Sequence, residues 1–128
     1  MGTIRSHRDL KVWQKAMDAA VAVFELSKRF PGREQFNLAD QILRASRSVP
    51  ANTSEAWRKR RYSAAFISKL NDAEGEAAET QTHIELARRC QYITDSEAGE
   101  LDQVYEEIIS MRASTSNHPE KWCLARRT

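Results

Sequence analysis

The sequence predicts an all-α protein, an antiparallel up-down-up-down four-helix bundle whose second helix is kinked at a proline. Three observations carry this expectation. Apolar residues recur at three- and four-residue steps along most of the 128-residue chain, the spacing that collects them on one face of a 3.6-residue helix. Charged residues make up 30% of the chain while glycines number four and prolines three, a composition that favours helices over loops or disorder. Turn and capping residues cut the periodic stretches into four with short connections, and four such helices pack most simply as antiparallel neighbours. The length suits one domain with a real core.

Residues 1–6 are expected to be disordered, residues 7–114 to form the bundle and residues 115–128 to form a tail, with helices near 7–30, 37–61, 63–91 and 95–114. Ser6 with Asp9 three residues on is a helix-start signal. Leu10, Trp13, Met17, Val21 and Phe24 form the main stripe of the first helix. Val12, Ala16, Ala20, Val23 and Leu26 widen it beyond what one bundle core uses, and Pro31-Gly32 stops it. Asn37 is the candidate cap of the second helix, because its side-chain oxygen suits the free N–H groups of a first turn. Leu38, Ile42, Ala45, Val49 and Ala56 then share a core face. Pro50 lacks an N–H and its ring crowds the carbonyl of Ser46, so a kink or break is expected at 47–49.

Ser63 is the candidate cap of the third helix. Phe66, Leu70, Ala73, Ala77, Thr80, Ile84 and Ala87 follow at alternating four- and three-residue steps, a seam of coiled-coil type. Its middle is small-sided, which lets a neighbour approach closely at Ala73 and Ala77, whereas Ala78 reads as surface. Thr94 and Glu97 form a capping box that starts the fourth helix, and Leu101, Val104, Tyr105, Ile108 and Met111 make its inward face. The pattern fails after Ser114, and the tail carries Trp122, Cys123, Arg126 and Arg127.

Composition also excludes function classes. The longest apolar run, 19–24, is six residues, far below the roughly 20 needed to span a bilayer. The charged N-terminus lacks a signal peptide's apolar centre, so a cytoplasmic location is expected. Two cysteines, Cys90 and Cys123, fit a reducing compartment and no disulfide scaffold. No nucleophile elbow, catalytic cysteine or glycine-rich phosphate loop is present. His83 has Glu79 at four residues, not the three of a di-metal bundle motif, and reads as a helix-surface or interface residue. No cofactor is expected.

Charge is strongly segregated. Residues 41–70 carry seven cations against Glu55 alone, a net of +6, and residues 71–110 carry eleven acids against two arginines, a net of −9. One reading is that neighbouring helices complement each other. The other is a nucleic-acid footprint, centred on the run Trp57-Arg58-Lys59-Arg60-Arg61-Tyr62 and helped by Arg44 and Arg47. Lys and Arg neutralise phosphates, and Trp57 or Tyr62 offers a ring on which an unpaired base stacks. Cations at a helix C-terminus also favour the macrodipole, yet four in succession exceed what capping requires.

The segment Ser48-Val49-Pro50-Ala51-Asn52-Thr53-Ser54-Glu55-Ala56 resembles the Ser-Ile-Pro-x-Asn-Ile-Ala-Glu-Gly signature of the four-helix-bundle proteins encoded in intervening sequences of bacterial 23S ribosomal RNA genes. Asp9-Leu10-Lys11-Val12-Trp13-Gln14-Lys15-Ala16-Met17 resembles that family's opening helix. Ala73-Glu74-Gly75-Glu76, with Glu79-Thr80-Gln81-Thr82-His83, resembles its third. The likeness runs from about Asp9 to Met111, with Thr53, Ala56 and Glu76 departing from the preferred Ile, Gly and Ser. Accessory proteins of diversity-generating retroelements are related to this family. That kinship implies a basic homo-oligomer, a ring of five, that binds nucleic acid together with a reverse transcriptase.

The sequence therefore leads to a non-enzymatic oligomeric bundle that binds RNA or other nucleic acid through Arg44, Arg47, Trp57, Arg58, Lys59, Arg60, Arg61 and Tyr62, without reading sequence and without a membrane. The first alternative is a structural or protein-partner scaffold. The second is a Mg²⁺-dependent all-α nucleoside triphosphate pyrophosphohydrolase, with Glu76 and Glu79 joined by Glu97, Glu100, Asp102 and Glu106.

Overall fold

The computed structural model describes residues 4–117. They form four α-helices, α1 (Lys11–Ser27), α2 (Leu38–Arg58), α3 (Ser63–Arg89) and α4 (Asp95–Asn117), with 3₁₀ turns at His7–Asp9 and Gly32–Glu34, and no strand occurs among these residues. The expectations for residues 1–3 and for the tail beyond 117 lie outside the described residues.

The first helix differs most from expectation. Ser6 and Asp9 do form a capping box, but it caps the 3₁₀ turn. Leu10 then turns extended and buries its side chain, and the α-helix begins only at Lys11. Along α1 the buried stripe is Val12, Ala16, Ala19 and Val23, which the sequence assigns largely to the flank. Met17, Val21 and Phe24 of the expected main stripe are exposed instead. The two stripes lie only about 100° apart on a helical wheel. The small side chains at Ala16 and Ala19 let the neighbouring helices pack closely on that edge, and so decide which stripe goes in.

In α2 every expected core residue is buried, joined by Ala39, Ser46, Pro50, Thr53 and Trp57. Asn37 occupies the cap position without capping, since its Nδ2 donates back to the Arg33 carbonyl at 2.9 Å. Pro50 lies inside a helix assigned without interruption from Leu38 to Arg58. Around it, side chains bond back to the backbone, Ser48 Oγ to Arg44 O (2.8 Å), Thr53 Oγ1 to Val49 O (2.8 Å) and Ser54 Oγ to Pro50 O (3.0 Å). None of these three reaches Ser46 O, the carbonyl that the proline leaves without its helical donor.

The α3 seam is buried throughout as the spacing predicts, Ala78 is exposed, and Tyr62 rather than Ser63 holds the cap position. The helix ends with Tyr92 N–H donating to Ala87 O and Gln91 N–H to Arg88 O, both at 2.9 Å, and with Gln91 in the left-handed region at φ 62°. That is a Schellman ending on a non-glycine residue. The Thr94–Glu97 capping box is formed. Leu101, Tyr105 and Ile108 are buried, and α4 continues to Asn117 rather than stopping near 114.

Polar pairs tie the helices together. Lys15 of α1 meets Glu107 of α4, and Arg29, two residues past α1, meets Glu97 of α4. Arg44 meets Glu79 and Lys69 meets Glu55 between α2 and α3. Gln81 meets Glu106, and Arg112 meets Glu74, between α3 and α4.

Candidate nucleic-acid interface

The turn that joins α2 to α3 concentrates the cations. Lys59 caps α2, with its N–H donating to Glu55 O and Ala56 O, and Tyr62 N–H donates to Lys59 O at 2.9 Å. This tight turn keeps Arg58, Lys59 and Arg61 exposed, with the half-buried Arg60 between them. None of the three has a carboxylate within ion-pair distance among the described residues.

Arg60 behaves differently. Its guanidinium lies over the Trp57 ring at 3.8 Å from the centroid, and its Nη1 donates to Trp57 O at 2.7 Å. Planar stacking of this kind suits arginine and costs its charge some freedom. Trp57 itself is only 7% exposed and belongs to the core, so its ring is occupied by packing on one side and by Arg60 on the other. Tyr62, at 70% exposure, is the aromatic of the run that solvent reaches.

Arg44 and Arg47 are not gathered into this group. Arg44 Nη2 lies 2.6 Å from Glu79 and Nη1 3.7 Å from Glu76. Arg47 is exposed and lines a groove with Met17, Ala20, Val21, Phe24 and Pro50. At 1.5 Å per residue, these arginines lie roughly 21 and 17 Å from Arg58 along the helix. Cross-helix complementarity thus accounts for Arg44, and likewise for Lys69 with Glu55 and Asp72. It does not account for the turn.

The N-terminal 3₁₀ turn packs against the same end of α2. His7 stands edge-on to Trp13 at 5.2 Å between centroids. Its pKa is pulled below the ordinary value by partial burial first, then by the charges of Arg8 and Arg58. Sequence reading passed over Arg5 and Arg8. The signal that orders them, the Ser6–Asp9 box, was legible only as a helix start.

Several of the acids of α3 and α4 are engaged by other partners. Glu76 and Glu79 face α2 through Arg44, Glu97 is engaged by Arg29 and Thr94, and Glu106 accepts from Gln81. Among the described residues no group of three or more His, Cys, Asp or Glu is placed to hold a metal ion. His83, expected at the surface or an interface, is buried, with Nε2 3.8 Å from Glu79. No helix among the described residues is long and apolar enough to cross a membrane.

These features define a small all-α protein of four helices with an unmatched cluster of cations at one inter-helix turn. A family model described as 23S rRNA-intervening sequence protein matches residues 8–114, and the chain belongs to that family. A crystal structure of a protein of unknown function from the S23 ribosomal protein family of Bacteroides thetaiotaomicron is similar, with a TM-score of 0.75 and 34% identity. The match covers 82% of this chain and 97% of that one. Among curated proteins no relative matches the sequence.

Proposed function

We propose that the protein is a non-enzymatic, cytoplasmic homo-oligomer that binds structured RNA, or an RNA–DNA hybrid, through the phosphate backbone. The observation that carries this reading is the α2–α3 turn, where Arg58, Lys59 and Arg61 stand exposed without acidic partners while Arg44 and Lys69 are paired. Cations on phosphates fix position but carry no base information, so binding is sequence-neutral. Tyr62 supplies a stacking face for an unpaired base, and Arg60 shapes the turn from its seat on Trp57.

An antiparallel up-down-up-down order fits this reading. It is supported by cross-helix pairs that run in opposite senses, Lys15–Glu107 with Arg29–Glu97 and Arg44–Glu79 with Lys69–Glu55. A bend at Pro50 would set the direction of the last turns of α2 and so of the cations beyond them. The exposed apolar face of Met17, Val21 and Phe24 supports self-association, since leftover apolar patches mark interfaces. A ring of five is what the family resemblance implies, and it would repeat the basic turn around one face. If the protein serves a retroelement, a reverse transcriptase is the fitting protein partner.

The test is fluorescence anisotropy of a mixed-sequence RNA hairpin over a range of salt. Replacing Arg58, Lys59 and Arg61 by Gln removes about 2.7 from the slope of log affinity against log salt, at about 0.9 per neutralised phosphate. The bundle stays folded, because exposed charges contribute little to stability. An unchanged affinity and slope would establish the scaffold reading, which the Arg44 and Lys69 pairings favour.

A further inference from the structure

The turn at His7–Asp9 contributes no buried residue of its own, yet it is closely held. Asp9 Oδ2 accepts from the backbone N–H groups of Arg5 (2.8 Å) and Ser6 (3.2 Å), Ser6 Oγ accepts from Arg8 N–H (3.2 Å), and Gln14 Nε2 donates to Arg8 O (2.8 Å). Positioning Leu10 for burial accounts for the backbone path after Asp9. It does not account for bonds that fix Arg5 and the Arg8 carbonyl. The carboxylate of Asp9 is engaged by backbone donors and feels the Arg5 charge only beyond ion-pair distance, and Arg8 has no acid within that distance among the described residues. Arg8 adjoins His7, whose imidazole feels the charges of Arg8 and Arg58, and the 3₁₀ turn packs against α2.

We infer that residues 5–9 form an ordered arm packed on α2, and that its Arg5 and Arg8 are a second set of contacts to the phosphate backbone of bound RNA. The inference rests on the reading of the α2–α3 turn as an RNA-binding surface. An arm fixed before binding spends less ordering entropy on contact than a free terminus does. Two added phosphate contacts bring the total to five, a salt slope of about 4.5 rather than about 2.7. A phosphate lodged against Arg8 and Arg58 also relieves their repulsion of a proton on His7, so RNA raises the His7 pKa.

Salt titrations of the full chain with the same mixed-sequence RNA hairpin decide the matter, run on wild type and three variants. Far-UV circular dichroism and thermal midpoints check that each is folded. Arg5→Gln with Arg8→Gln lowers the slope by about 1.8. Lys28→Gln with Arg33→Gln, at the far end of the bundle, leaves it unchanged. If the arm variant keeps the wild-type slope while the Arg58, Lys59 and Arg61 variant loses it, this inference is overturned and the turn reading stands. If that turn variant keeps its slope, or wild type does not bind, both are overturned. An equal fall in the far-end variant shows a general charge effect and also overturns the arm. Nuclear magnetic resonance of the His7 imidazole gives an independent readout, with a rise in pKa on adding the hairpin expected and an unmoved pKa contrary to it.

Discussion

Replacing Tyr105 by Phe is expected to stabilise the protein. Tyr105 is completely buried on α4, and its hydroxyl has no hydrogen-bond partner among the described residues. A buried hydroxyl left without a partner costs about 1–3 kcal/mol, whereas the ring packs identically in either residue. Removing one oxygen leaves a small void, for which a few tenths of a kcal/mol is a fair charge at about 24 cal/mol per Å³. The net expectation is a gain of about 1 kcal/mol at pH 7, or about 4 °C in thermal midpoint for a domain of this size. The pH dependence supplies a second signature. Burial raises the Tyr105 pKa well above its ordinary 10, so folding favours the neutral phenol. That contribution is fully present below about pH 10 and is lost as pH rises further, because the unfolded chain releases the proton first. Wild type should therefore lose stability above pH 10, and the Phe variant should lose less. Some slope remains through Tyr92, whose pKa is raised chiefly by its hydrogen bond to Glu34. Thermal and urea unfolding at matched protein concentration from pH 7 to 11 measure both effects. A variant less stable than wild type at pH 7, or with an undiminished alkaline slope, would refute the reasoning.

Gln91→Gly should raise stability by about 1 kcal/mol in urea unfolding, because glycine adopts the left-handed ending of α3 without the Cβ penalty. Glu97→Gln should flatten the acid limb of the stability curve. The hydrogen bond from Arg29 first, and the Thr94 N–H second, lower the Glu97 pKa to about 2, so its contribution is present above the unfolded value near 4.5 and fades as pH falls toward 2. Unfolding followed between pH 2 and 6 gives the comparison. Val21→Glu, at a position 57% exposed, should leave helix content intact and shift the light-scattering mass toward the 14.7 kDa of one chain.

Much of the fold was legible because three of the four helices carry one apolar stripe only. In α3 the seam is the stripe that recurs at four- and three-residue steps along the helix, so periodicity chose its inward face. In α1 apolar residues cover so wide an arc that periodicity admits two stripes, and the choice fell to tertiary packing that a single sequence does not display. Leu10 shows the same limit at finer scale, since an extended residue between a 3₁₀ turn and a helix leaves no periodic trace. In the candidate site, the run Arg58 to Arg61 was visible as composition. Its division into three exposed cations and one arginine seated on an indole was not, because position 60 differs from its neighbours only in the direction the turn gives it.

Cross-helix pairing accounts for part of the charge segregation and leaves the turn over. Along the α2–α3 flank, acids of α3 stand opposite Arg44 and Lys69 lies opposite Glu55, so part of the +6 of one half of the chain is met by the other half. The pairing stops at the end of the helices. At that end of α2, Arg58, Lys59 and Arg61 have no carboxylate within ion-pair distance among the described residues. The remaining −9 segment extends down α3 and α4 away from that end, with Glu85 bound by Arg88 and Arg89 and Glu97 by Arg29. An anionic ligand approaching the molecule therefore meets attraction at the α2–α3 turn and repulsion along the α3–α4 faces. Such an arrangement orients a polyanion before contact and speeds its capture at low salt.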